Sequence, residues 1–450
     1  MPAGRRAEPD YAQPVDHWPA PVARGPVNGS VTVPGSKSLT NRALILAALA
    51  TGPSRIYKPL AARDTQLMRA ALGVLGARIT KDPTGDWAVE PGPFDRSGRI
   101  DCGLAGTVMR FVPAIAGLAD GDIAFDGDPQ ARVRPMSTMI TALRDAGIIV
   151  EDDDRGTLPF TVRGRGSVSG GAIEVDASAS SQFISAVLLA GARYERGIQV
   201  RHVGRQAVPS GPHITMTVRM LQERGVDVSV GPESWSVAPG AIRPLDITIE
   251  PDLSNAAPYL AAALVTGGGV CISGWPDQTT QPGAQLTELF AQMGATTSRQ
   301  VDTGLTGTSA LTLTGPDRLE GLIADLHEVG ELTPVIAACC ALANSPSRLT
   351  GIGHLRGHET DRLAALATEI NALGGKVEVL ADGLAIEPAP LHGGIFHTYD
   401  DHRLATAAAV IGLCVEGVLV ENIDTTSKTL PDFATTWSRL VDAERDNRHA

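Results

Sequence analysis

Apolar residues in this chain gather into blocks of two kinds that alternate in a fixed order. The first kind is Ala/Leu-rich and follows a polar loop, as in ALILAALA (Ala43–Ala50) after PGSKSLTNR. Comparable blocks recur at Phe111–Ala119, Ile184–Ala192, Leu260–Gly267, Val335–Ala343 and Leu404–Cys414, roughly every 70 residues. The second kind is more amphipathic, with apolar positions at i, i+3, i+4 and i+7, and most copies end near a glycine. Examples are DTQLMRAALGVLGARI from Asp64 and HITMTVRMLQERGVDV from His213. Such periodicity predicts a helix, and a closing Gly suits its C-cap. Short β-rich runs such as IAFD and AIEVD flank the blocks.

The recurring unit is therefore a βαβαββ-type repeat, present six times, the sixth ending in KTLPDFATTWSRL. Repeats this long exceed the 20–50-residue period of solenoids. Three units per domain fit ordinary domain size. The seam falls near Pro239–Ile249, between the third and fourth units. A second crossing is expected near Val33–Gly35, because the first strand precedes the first loop. This gives one domain of residues 35–248 and a discontinuous one of 26–34 plus 249–440. Residues 1–25 read as a polar, Pro-rich flexible tail and 441–450 as a second tail.

Composition changes this picture only by exclusion. At 43% hydrophobic and 20% charged, the chain reads as an ordinary globular protein. Its net charge of −12, without a basic run, argues against nucleic acid as a partner. Small anions need only a local basic pocket. The N-terminus lacks the apolar core of a secretory signal, and no run of 18 apolar residues suggests a membrane span. Cys102, Cys271, Cys339, Cys340 and Cys414 show no CxxC spacing and are expected as reduced core residues of a cytoplasmic protein.

Candidate chemistry falls at helix starts, where free N–H groups and a partial positive charge favour anions. First-helix starts carry Lys37, Ser38 and Arg42; Gly106, Thr107 and Arg110; Ser180, Ser181 and Gln182; Glu331; and Asp401, His402 and Arg403. Second-helix starts carry Arg63 and Asp64; Arg132 and Arg134; Ser210 and His213; His358, Glu359 and Arg362; and Lys428. If the units share an orientation, these loops face one cleft. The chain has only five lysines, and Lys37 and Lys428 both lie in these loops. PGSKSLTNR is not a nucleotide P-loop, since Ser36 separates Gly35 from Lys37 and the nearest earlier glycine is Gly29. Glu331 and Glu359 each sit beside cationic residues and could divide base and acid duties. A zinc reading of His354 and His358 lacks a third ligand, and HEVGE (His327–Glu331) ends in Glu where a zincin has His.

Taken in order, PGSKSLTNR, LAGTVMR, RVRP, SSQF, HETDR, DDHR and SKTLPDF resemble the EPSP synthase family across about Pro26–Leu440. The resemblance implies an α/β fold of two inside-out α/β barrel domains, three repeats each, closing over substrates. It implies transfer of the carboxyvinyl group of phosphoenolpyruvate to the 5-hydroxyl of shikimate-3-phosphate, on the route to chorismate and aromatic amino acids. Shikimate-3-phosphate would be held by Lys37, Ser38, Arg42, Ser180, Ser181, Gln182, Ser210, Glu331 and His358. Phosphoenolpyruvate would be held by Lys37, Gly106, Arg134, Gln182, Arg362, Arg403 and Lys428. The catalytic residues would be Glu331, Glu359, Lys37 and His402. No cofactor or metal is implied, and a monomer is expected. Glyphosate would compete with phosphoenolpyruvate, with Gly106 governing access. Three positions depart from the commoner family pattern: Leu104 for Asn, His358 for Lys and Glu331 for Asp. A His358 that loses its charge at higher pH would weaken the phosphoshikimate contacts. The sister enzyme acting on UDP-N-acetylglucosamine carries a Cys before its Arg-Pro, where DGDPQARVRP has none. A non-catalytic anion-binding relative would lack an acid or Lys37.

Overall fold

The computed structural model describes residues 17–301 and 307–447. Its strands form six separate sheets, five of four strands and one of three. The second unit shows the pattern. Gly98–Asp101 runs parallel to Asp122–Asp126, which pairs antiparallel with Phe160–Arg163, and Ile149–Glu151 forms the edge. The parallel pair needs a crossover, and the helix Gly106–Ala116 supplies it.

Helices lie inside and sheets outside because the sequence leaves no alternative. From Leu39 to Leu49 every residue of the helix Lys37–Leu49 is buried, and Leu404–Leu413 is equally enclosed in His402–Cys414. A helix without a polar stripe must be covered on all sides. Strands such as Ile198–His202 alternate buried and exposed residues, so each sheet packs one face inward and wets the other. Two cores result. One comprises residues between Leu39 and Ile249; the other joins Ala20–Val33 to Leu253–Val441. Below, these are the upper and lower halves.

The halves exchange their opening strands. Asn28–Val31 precedes the first unit but runs parallel to Gly269–Ile272 in the lower half. Ile247–Thr248 precedes the fourth unit but pairs with Ile56–Tyr57 in the upper half. The two crossing segments bond to each other, with Ser36 N donating to Glu250 O (2.8 Å) and Asp252 N to Pro34 O (2.8 Å). A Cβ on Gly35 would sit 2.4 Å from Lys58 O, so this approach requires glycine.

Three expectations differ from the structure. The N-terminal tail is ordered from His17: His17–Pro19 pairs antiparallel with Leu419–Glu421 and completes the sixth sheet, which lacks its own hairpin. Ala20 N then donates to Val418 O and Ala23 N to Leu413 O. Residues 1–16 lie outside the described residues. At the other end the helix Phe433–Asn447 continues past residue 441, and Phe433 and Trp437 pack on Tyr259 with centroids 5.9 Å from it. The five cysteines are free; Cys102, Cys339 and Cys340 are buried, whereas Cys271 is half-buried and Cys414 exposed. Among the described residues no helix is long and apolar enough to cross a membrane.

Candidate active site

First helices of both halves start on a single cavity. From the upper half it is lined by Lys37, Ser38, Arg42, Gly106, Arg134, Ser180, Ser181, Gln182 and Ser210. From the lower half come Glu331, His358, Glu359, Arg362, His402 and Arg403. Local capping fixes these starts. Ser36 Oγ accepts from Leu39 N, Asp252 from Asn255 N, Asp361 from Leu363 N and Ala364 N, and Asp401 from Arg403 N. Lys428 stands apart from the lining and reaches the site through Glu359, its Nζ 2.7 Å from Oε1.

The cations differ in how free they are. Arg42 is engaged: Nε donates to Thr217 Oγ1 (2.8 Å), Nη1 to Ser38 O (3.1 Å) and Nη2 to His213 O (3.1 Å). Burial lowers its pKa to about 9. Arg134 is the opposite case, with Nε and Nη1 buried and unpartnered. Buried guanidinium donors without a protein acceptor suit an anion that brings one. Arg110 Nη1 donates to Gln182 Oε1 (3.0 Å), and its guanidinium stacks over the Phe183 ring at 5.6 Å. Lys37 Nζ sits 3.2 Å from Asp64 Oδ2.

The two glutamates live in opposite environments. Burial raises the pKa of Glu331, and the Arg403 charge only partly offsets this; Ser254 Oγ donates to its Oε1 at 3.3 Å. Burial also pushes Glu359 upward, but Lys428, Arg362 and Arg134 outweigh it and hold this carboxyl well below the usual range. A carboxylate with raised proton affinity suits a base. One held ionised by cations gains proton affinity when incoming anions neutralise those cations.

Histidine is the side chain that sequence reasoning handled least well. His358 was expected to lose its charge at higher pH. Partial burial, reinforced by the Arg362 charge, instead lowers its pKa and favours the neutral ring. Its Nδ1 accepts from Arg362 Nη1 at 3.3 Å. His213, expected among the cleft-facing helix starts, lines the cavity, and so does His354, which was weighed only as a metal ligand. Burial lowers them to about 3 and about 4, leaving His213 Nδ1 and His354 Nε2 unpartnered. Asp252, Ser254 and Gln281 were missed too. Asp252 occupies in the fourth unit the capping position of Ser36 in the first, so the repeat itself carried the signal.

Comparison with known proteins agrees with this geometry. The family model described as EPSP synthase (3-phosphoshikimate 1-carboxyvinyltransferase) matches residues 22–437. A 3-phosphoshikimate 1-carboxyvinyltransferase of Kocuria rhizophila is 53% identical over 446 residues, covering 95% of this chain and 97% of that protein. The structure of EPSP synthase from Acinetobacter baumannii superposes with a TM-score of 0.75 at 23% identity, covering 94% of this chain and 96% of that one. The enolpyruvyl transferase NikO from Streptomyces tendae gives 0.71 at 19% identity, covering 93% and 96%. The two structural likenesses establish the α/β fold, and the family match together with the Kocuria relative establishes descent. The chain belongs to the EPSP synthase (3-phosphoshikimate 1-carboxyvinyltransferase) family.

Proposed function

We propose that this enzyme transfers the carboxyvinyl group of phosphoenolpyruvate to the 5-hydroxyl of shikimate-3-phosphate, giving 5-enolpyruvylshikimate-3-phosphate and inorganic phosphate. One observation carries the reading: a cavity between two halves that combines unpartnered buried guanidinium donors with two carboxylates of opposite proton affinity. Two anionic substrates repel each other, and fixed cations offset that repulsion without reorganising.

In this reading Lys37, Gly106, Arg134, Gln182, Arg362, Arg403 and Lys428 hold phosphoenolpyruvate. Ser38, Arg42, Ser180, Ser181, Ser210, Glu331 and His358, with Lys37 and Gln182 shared, hold the phosphoshikimate. Glu331 takes the proton of the attacking hydroxyl. Glu359 delivers a proton to the methylene carbon, once the substrate anions have drawn off the field of Lys428 and Arg362. The hydroxyl oxygen bonds to the central carbon, and loss of phosphate with one methyl proton restores the double bond. Lys37 and His402, which both line the cavity, act with the two glutamates as catalytic residues, and Lys428 acts through Glu359. Residues 35–248 and 26–34 with 249–440 act as two closing domains, a division supported by the two separate cores. The enzyme works as a cytoplasmic monomer.

Phosphate release from phosphoenolpyruvate, with shikimate-3-phosphate or UDP-N-acetylglucosamine as acceptor, tests the assignment. Release with shikimate-3-phosphate alone, lost in Lys37→Met, is expected. Release with UDP-N-acetylglucosamine alone would transfer the protein to the sister activity, and release with neither would leave an anion-binding protein.

A further inference from the structure

The geometry points to His327 as a positioning residue that latches the upper half onto the lower and aims Ser210 into the cavity. This rests on reading the cavity as the phosphoshikimate site. His327 opens the short helical turn His327–Leu332, which also carries Glu331. Two bonds join it to a loop of the other half. Ser210 N donates to His327 O at 3.0 Å, and His327 Nε2 lies 3.2 Å from Val208 O. A carbonyl can only accept, so Nε2 carries the proton.

Ser210 pays a conformational cost at this contact. Its φ of 54° lies in the left-handed region, disfavoured for a residue with a side chain. The bond from its own N–H to the lower half fixes that conformation, and Ser210 lines the cavity. The latch also reaches inward through rings. His327 meets His354 nearly edge-on with centroids 6.0 Å apart, and His354 lies 6.0 Å from His358. The space is tight: a Cβ on Gly330, between His327 and Glu331, would sit 2.6 Å from His354 Nε2. A movement of the Val208–Ser210 loop is thereby passed to the turn that holds Glu331.

If only the latched arrangement binds the phosphoshikimate well, unlatching taxes apparent affinity and spares turnover at saturation. His327→Phe keeps a ring against His354 and removes the donor; His327→Gln keeps a donor of similar reach. For Phe we expect the KM for shikimate-3-phosphate to rise about 3- to 10-fold, the effect of one lost hydrogen bond, with kcat nearly unchanged. Gln should restore most of the KM. Small-angle scattering of the full chain, alone and with shikimate-3-phosphate plus inorganic phosphate, reads the latch without catalysis, and the Phe protein should have the larger radius of gyration. A Phe variant with wild-type KM and wild-type scattering overturns the latch, as does a Gln variant no better than Phe. A wild type that releases no phosphate, with a Phe variant still expanded, would remove the functional reading and leave the latch standing.

Discussion

Replacing Asp401 by Asn asks whether buried carboxylates hold the cavity's cations in place. Asp401 is fully buried, and the Arg362 side chain is only 3% exposed. Its Oδ2 accepts Arg362 Nε at 2.7 Å, while Oδ1 accepts Nη2 at 3.1 Å and Arg403 N at 2.9 Å. In Asn one oxygen still accepts, but an NH2 group faces an N–H donor and the guanidinium loses a charge partner. Removing one member of a buried pair costs about 3–5 kcal/mol. Glu359 still accepts from Arg362 Nη2 at 3.1 Å, which places this case at the lower end, about 3 kcal/mol. Asp401→Ala also deletes the cap of the helix His402–Cys414 and should cost about 1 kcal/mol more. Urea unfolding followed by tryptophan fluorescence reads this, since Trp275 and Trp437 are buried in the lower core. The midpoint should fall in the order wild type, Asn, Ala at unchanged slope. Combining Asp401→Asn with Arg362→Met should cost about 2 kcal/mol less than the two changes summed. An Asn variant within about 0.5 kcal/mol of wild type, the range of surface substitutions, would refute the argument.

Glu331→Gln should abolish turnover yet stabilise the fold. Burial raises the Glu331 pKa, so the folded state favours its protonated form; stability from that carboxyl is complete at low pH and is lost as pH rises through the folded value. The melting advantage of Gln should thus be greatest at neutral to alkaline pH and vanish as pH falls below the ordinary glutamate range; a constant advantage would contradict it. Gly106→Ala would place a Cβ 2.9 Å from Arg110 Nη1, which Gln182 and Phe183 restrain, and 3.4 Å from Arg134 Nη1. The KM for phosphoenolpyruvate should rise about tenfold, the effect of losing about 1.4 kcal/mol of binding. Stability should hardly move, because Ala is the better helix former. Unchanged KM would place the phosphoenolpyruvate elsewhere.

Local chemistry was easy to read in the sequence and distant pairing was not. Leu39–Leu49 and Leu404–Leu413 announce helices by composition alone, and six similar loops announce a shared cleft. His17–Pro19 announces nothing: three residues, one of them a proline, form a strand only because Leu419–Glu421 offers an unpaired edge. The environment of His358 was equally invisible, since its lowered proton affinity depends on burial and on Arg362, and neither follows from the order HETDR. His354 was weighed only as a metal ligand, though its place four residues before His358 puts both rings on the same cavity.

The exchange of opening strands also sets a timetable for synthesis. Chains fold from the N-terminus as they emerge, and every residue of the upper core lies between Leu39 and Ile249. That half is complete when its borrowed strand Ile247–Thr248 leaves the ribosome. The lower half is made partly before it and partly after. Asn28–Val31 must wait for Gly269–Ile272, and His17–Pro19 for Leu419–Glu421 near the end of the chain. From then until translation ends, a finished upper half is tethered to strands still awaiting their partners, the kind of exposed template on which neighbouring nascent chains can pair.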